Sequence, residues 1–160
     1  MKIPNQLRAR VRTLRLEAEG VVSVELVPES RVHFPRFTAG AHVDVYLANG
    51  MIRSYSLSNS SEELDRYVIG VLEEGSGRGG SKYIHSNFRC GMLVSIGSPR
   101  DNFPLSENAS SSVLIAGGIG ITPILSMYRR LLHLNKHVRA VYCARSRSNA
   151  GFIGQPASRL

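Results

Sequence analysis

An antiparallel β barrel or sandwich running into one parallel βαβ unit is the architecture this sequence predicts. Three observations carry that expectation. The first hundred residues break into short alternating runs separated by turn residues, the spacing of an antiparallel barrel or sandwich. The pattern changes after Pro99. Beyond it a short apolar run, a glycine turn, an amphipathic stretch and a second apolar run follow one another, as strand, helix and parallel strand do.

Each element has its own warrant. Residues 8–16 alternate, with Val11 and Thr13 set among arginines, and residues 21–27 place Val22, Val24 and Leu26 opposite Ser23 and Glu25. A turn region with Pro28, Pro35 and Gly40 precedes a strand at 42–47. Asn49-Gly50 then predicts a type I′ hairpin, whose two central residues both need positive φ. Strands are expected at 51–58, 67–72 and 91–96, with one helix at 81–88 opened by a glycine-rich loop. Residues 99–111 read as a linker. Residues 112–116 and 137–143 predict strands buried on both faces of a parallel sheet. Between them 117–120 is a tight turn, and 121–134 is a helix with Ile124, Leu125, Tyr128, Leu131 and Leu132 on one face.

Composition narrows the function. Of 160 residues, 42% are hydrophobic and 20% charged, too apolar for disorder to be the main state. No run reaches the ~18–20 apolar residues of a membrane span. The first six residues have no apolar signal core, so a cytoplasmic protein with no membrane partner is expected. Cys90 and Cys143 are the two cysteines. They cannot supply the four thiolates of an iron–sulfur cluster, and Cys143 reads as a packed thiol in a buried strand. The five histidines show no metal-ligand spacing, so no metal site is expected. The net charge of +8 fits scattered solvated charge, an acidic partner or a phosphorylated cofactor. Nucleic acid is not expected, because aromatics are 7% of the chain and no basic run interleaves with them as a stacking platform.

Three segments could carry chemistry. Arg53-Ser54-Tyr55-Ser56-Leu57 lies on the strand after the Asn-Gly turn. Its arginine can fork onto phosphate, its tyrosine can lie against a ring, and Ser56 can bond a polar ring atom. Taken alone it equally fits a strand whose polar residues face water. Gly75-Ser76-Gly77-Arg78-Gly79-Gly80-Ser81 runs into the short helix, where free N–H groups, the helix N-terminus and Ser81, as N-cap or donor, suit an anion. A plain flexible hairpin loop is the alternative. Gly117-Gly118-Ile119-Gly120-Ile121-Thr122-Pro123 joins an apolar strand to a helix, the context in which such a turn admits a pyrophosphate. The pattern is G-x-G-x-x-P, and Tyr142-Cys143-Ala144-Arg145 brings no ribose-reading carboxylate.

In this order and spacing the three segments resemble the ferredoxin–NADP reductase superfamily, in its phthalate dioxygenase reductase and vanillate demethylase reductase branch. The segment 98–105, Ser-Pro-Arg-Asp-Asn-Phe-Pro-Leu, also resembles that branch's interdomain segment, and the likeness spans about residues 7–147. The resemblance implies a six-stranded Greek-key barrel over 1–98 that binds flavin, FMN rather than FAD, then the linker and an incomplete NAD(P)-binding domain over 112–160. Arg53, Ser54, Tyr55 and Ser56 would hold the flavin, Gly70 and Val71 would line its ring, and Gly79, Gly80 and Ser81 would cradle its phosphate. Gly118, Gly120, Thr122 and Pro123 would face NAD(P)H. The family passes electrons from reduced nicotinamide through flavin to a [2Fe–2S] centre and an oxygenase. No [2Fe–2S] site is expected in this chain and no catalytic side chain is assigned.

Relatives run to about twice this length, and residues 149–160 do not continue the expected pattern. The end reads as a truncation, a frameshift or an artificial boundary. Two functions are therefore weighed. One is the flavin-binding part of an electron-transfer oxidoreductase. The other is a non-catalytic, truncated flavin-binding module.

Overall fold

The computed structural model describes residues 6–30 and 32–153. The expectations for the first five residues and for 154–160 lie outside that range. Six strands form one antiparallel sheet: β1 (Gln6–Ala18), β2 (Val21–Pro28), β3 (His42–Tyr46), β4 (Ile52–Ser56), β5 (Tyr67–Leu72) and β6 (Leu93–Gly97), in the order β4-β3-β6-β1-β2-β5. The two ends of the sheet meet. Leu57 bridges Ile69, and Ser58 N–H donates to the Val68 carbonyl at 2.8 Å, so the sheet closes as a barrel. Full closure removes the unpaired edges that invite association.

The alternation of each strand sorts the core. Val11, Val24, Leu26, Val43, Val45, Tyr67, Ile69, Val71 and Ile96 are buried together with Ile84 of α1 (Gly80–Asn87) and Phe88 just after it. Tyr67 stacks on Phe34 at 4.1 Å and meets Phe37 edge-on at 5.4 Å. Its hydroxyl donates to the Pro35 carbonyl, satisfying the one polar atom this cluster buries.

The β3–β4 turn differs from expectation. Gly50 has φ 83°, but Asn49 is not in the left-handed region. Gly50 N–H donates to the Leu47 carbonyl at 2.9 Å, and Asn49 Oδ1 accepts from Met51 N–H at 3.2 Å. One glycine at positive φ suffices, so the turn is not the I′ form.

After the linker, β7 (Ser111–Gly117) and β8 (His137–Cys143) pair in parallel, joined by a 3₁₀ turn (Gly118–Gly120) and α2 (Ile121–His133). Asn135, at φ 53°, ends α2. Lys136 N–H reaches the Leu131 carbonyl and Asn135 N–H that of Leu132, both at 2.9 Å, which is the Schellman arrangement. Leu114, Ala116, Ile121, Ile124, Met127 and Leu131 form a second core that also takes Val21 and Ala39 of the barrel and Phe152. Met127, absent from the expected apolar face, is 3% exposed.

The parallel sheet corrects one expectation. α2 covers one face, while Val113 and Ile115 are 64% and 68% exposed on the other. Cys143 is exposed as well, so it is not a packed thiol. Two strands offer a side chain only one neighbour to lie against. Residues 150–152, expected to fall outside the pattern, return to the barrel, and Phe152 is 4% exposed.

Candidate functional site

Three segments far apart in sequence converge on one cleft of about 390 Å³. Its walls are Arg53, Ser54, Tyr55 and Ser56 of β4, Gly70 and Leu72 of β5, Gly77, Arg78, Gly80 and Ser81 of the glycine loop with Glu74 before it, and Ile119, Gly120, Thr122 and Pro123 at the start of α2; Gly79, expected in the site, is not in the wall. The register that places β4 and β5 at opposite ends of the sheet is also what sets them side by side at closure.

Arg53 is already parked at the glycine loop. One terminal nitrogen donates to the Ile52 carbonyl at 2.8 Å, and the other to the Arg78 carbonyl at 3.2 Å. Gly80 makes this possible: a Cβ there would fall 2.6 Å from Arg53 Cγ and 3.0 Å from Cδ. Gly79 turns the chain into α1 at φ 82°, and α1 carries neither a side-chain cap nor an acidic residue in its first turn. Its first N–H groups are therefore open to an anion. Ser81 is not the N-cap; its hydroxyl accepts from Glu74 N–H at 3.0 Å. An arginine, open helix amides and a hydroxyl fit a terminal phosphate. Tyr55, half-buried, offers a ring face to the cleft, whereas Thr122 Cγ2 and the Phe152 ring crowd Gly70, 2.5 and 2.8 Å from the place of its missing Cβ. Burial pushes the Tyr55 hydroxyl above its usual range, against the lowering effect of Arg53 and with a further rise from Glu74.

The structure divides the other expected residues. Ser54 lines the cleft, but its hydroxyl donates to Asp44 at 2.6 Å. Val71 points into the barrel core, fully buried, and its carbonyl meets His85 Nε2 at 3.0 Å. Gly120, Thr122 and Pro123 face the cleft, whereas Gly118, at φ 50°, opens on a neighbouring cavity. The Thr122 hydroxyl donates to the Ile119 carbonyl at 3.0 Å, leaving its methyl toward Gly70. Glu74, Leu72 and Ile119 were not foreseen. Leu72 and Ile119 were legible only as core residues, and Glu74 lay one residue outside the glycine run. Arg100, expected as a plain linker residue, instead pairs with Asp44 at 2.7 Å and bridges His42 through both backbone groups. Asp44 thus ties Arg100 to Ser54.

No family model matches the chain. Individual proteins do. It is 45% identical over 146 residues to the tert-butanol monooxygenase / tert-amyl alcohol desaturase reductase subunit of Aquincola tertiaricarbonis, covering 91% of this chain and 43% of that protein. It is 46% identical over 143 residues to vanillate O-demethylase oxidoreductase of Pseudomonas sp. (strain HR199 / DSM 7063), covering 89% and 45%. The solved structure of phthalate dioxygenase reductase, described as modular for electron transfer from pyridine nucleotides to [2Fe–2S], superposes with a TM-score of 0.89 at 39% identity, over 92% of this chain and 46% of that one. The chain is a homologue of these oxygenase reductases. The flavohaem-like FAD/NAD-binding domain of nitric oxide dioxygenase from Vibrio cholerae superposes with a TM-score of 0.85 at 28% identity, over 92% of this chain and 66% of its own. The oxygenase-reductase homologue therefore has the ferredoxin–NADP reductase-like fold. It spans less than half the length of the two curated relatives. Among the described residues no helix is long and apolar enough to cross a membrane, and no group of three or more metal-ligating side chains occurs.

Proposed function

We propose that the barrel binds a flavin, FMN in preference to FAD, as part of a cytoplasmic oxidoreductase. In this reading electrons come from a reduced nicotinamide nucleotide and go toward a [2Fe–2S] centre and an oxygenase partner. The observation that supports it most is the convergence of the Arg53 strand, the glycine loop and the α2 N-terminus on one cleft. Arg53, Ser81 and the amides after Gly79 would hold the terminal phosphate by charge-assisted bonds. The preference for FMN is supported by the glycine loop and Arg53 meeting at the Arg78 carbonyl, 3.2 Å from the guanidinium, beside helix amides suited to a terminal phosphate. Tyr55, Ser56 and Gly70 would orient the ring, and Gly118, Gly120, Thr122 and Pro123 would face the nicotinamide nucleotide. The flavin, when bound, supplies the exchange between two-electron and one-electron chemistry. Extraction and chromatography of the bound flavin tests the assignment. FMN is the expected result, and recovery of FAD alone would overturn the preference.

A second reading is favoured by one observation. The nucleotide-facing half offers, among the described residues, two strands and one glycine turn. By itself the 160-residue polypeptide then acts as a flavin-binding module without turnover. Steady-state oxidation of NADH or NADPH with an artificial acceptor separates the two readings.

A further inference from the structure

Three polar side chains of α1 reach back to one stretch of backbone at the end of β5. The Ser81 hydroxyl accepts from Glu74 N–H at 3.0 Å. Lys82 Nζ donates to the Gly75 carbonyl at 2.7 Å. His85 Nε2 lies 3.0 Å from the Val71 carbonyl. A carbonyl can only accept, so Nε2 carries the proton of that bond. The other ring nitrogen stands 3.9 Å from Glu73, beyond hydrogen-bond reach.

The three ties are unequal. Those of Ser81 and Lys82 are exposed and end on Glu74 and Gly75, past the strand. The His85 side chain is 13% exposed, and its acceptor lies within β5, between Gly70 and Leu72 of the cleft wall. A shielded hydrogen bond is electrostatically stronger than one in water. Ile84, the neighbour of His85, is buried in the barrel core. Apolar burial is non-directional: it holds α1 against the barrel without fixing how its first turn stands to β5. The His85 bond is directional and supplies that constraint. The first turn is where Gly80 meets Arg53 and where the uncapped amides begin.

We infer that His85 is a positioning residue of the cleft: its bond to the Val71 carbonyl sets the phosphate cradle at the start of α1 in register with the strand that carries Gly70. The inference rests on the flavin reading above and deepens it. A ligand that spans both ends of the cleft feels the loss of His85, and one that lacks the phosphate does not.

Riboflavin is FMN without its terminal phosphate, so the two flavins read the two ends separately. Both are titrated against the 160-residue chain by fluorescence quenching, beside a thermal melt. His85→Leu should raise the FMN Kd about two- to tenfold, the loss expected of one hydrogen bond, and leave the riboflavin Kd unchanged. His85→Gln, whose side-chain amide can donate in place of Nε2, should restore the FMN Kd of the wild type. If the leucine variant does not fold, His85→Asn decides: its shorter amide stops short of Val71, and the same FMN-selective loss is expected. An unchanged FMN Kd, equal losses for the two flavins, or no rescue by glutamine would overturn the inference while leaving the flavin reading in place. Failure of the wild-type chain to bind either flavin would remove the flavin reading, and the role of His85 with it.

Discussion

Gly80→Ala separates a binding role from a folding role at the glycine loop. Gly80 is buried at the first position of α1 and its φ is not positive, so alanine fits the backbone. Helix propensity by itself favours the change by up to ~1 kcal/mol. The new methyl, however, would meet Arg53 Cγ at 2.6 Å and Cδ at 3.0 Å. These atoms lie near the root of the side chain and cannot swing aside without carrying the guanidinium off the Arg78 carbonyl. If that guanidinium holds a phosphate, its loss costs about 1.5–3 kcal/mol, the worth of hydrogen bonds to charged groups. That is roughly a 10- to 150-fold rise in Kd. The assay is quenching of FMN fluorescence on titration with protein, beside a melting curve. The expected pair of results is weaker FMN binding with only a small change in Tm, the helix gain offsetting part of the cost of shifting Arg53. An unchanged Kd would refute the placement of Arg53 on the phosphate. Combining Gly80→Ala with Arg53→Ala should add little to the second change alone, because both act through one side chain.

Three further outcomes are expected. Arg53→Ala should weaken FMN binding by a similar 1.5–3 kcal/mol, whereas Arg10→Ala, whose side chain donates to the Gly91 carbonyl, should leave the FMN Kd alone. Gly40→Ala should lower Tm in thermal melts, since Gly40 has φ 101° and a Cβ there would strike the Phe103 carbonyl and lie 2.7 Å from Met127 Cε; overpacking of this kind costs about 1–3 kcal/mol. Hydrogen bonding from Arg130 holds the Glu107 carboxyl below its ordinary range. Its stabilisation is therefore full above the unfolded-state value near 4.5 and lost as pH falls through the lower folded-state value; Glu107→Gln should flatten that acid limb of a stability–pH curve measured by denaturant titration.

The sequence was most legible where one local rule decided the matter. Residues 67–72 and 137–143 alternate or run apolar between clear turn signals, and β5 and β8 occupy those bounds. The Arg53 strand and both glycine loops stood out because arginine, consecutive glycines and a strand-to-helix change are local marks. What stayed hidden depended on closure. Nothing near Gly70 in sequence shows that Thr122 and Phe152 press on it. Arg100 looked like linker because its partner, Asp44, lies 56 residues away. Val71 looked like a neighbour of Gly70 on the ring; alternation turned its side chain into the barrel. Asn49-Gly50 carried the strongest hairpin signal, yet the turn needed positive φ at Gly50 alone.

The apolar runs of β7 and β8 suit strands buried on both faces, yet only one face of their sheet is covered. Apolarity reports the burial a strand is suited to, not the burial it has. Parallel sheets are ordinarily covered on both sides. Here α2 takes one side, and Val113, Ile115 and Val141 remain 64%, 68% and 47% exposed on the other. Leu114 and Ala116, one step out of phase, are buried against α2, so the two faces of β7 differ in kind. Exposed apolar side chains such as these, though interrupted by Arg139 opposite Val113, promote association beside strand edges that no other described strand pairs. The 160-residue polypeptide should therefore associate with further copies of itself as its concentration rises, even against a net charge of +8. Ile115→Lys places its charge on the exposed face and touches neither α2 nor the cleft. It should leave the unfolding free energy within about 0.5 kcal/mol of wild type, the usual range for surface changes, and shift the light-scattering mass toward monomer. Leu114→Lys, on the covered face, should instead prevent β7 from packing on α2. If Ile115→Lys left the mass distribution unchanged, the exposed face of β7 and β8 would not be the surface through which the chain associates.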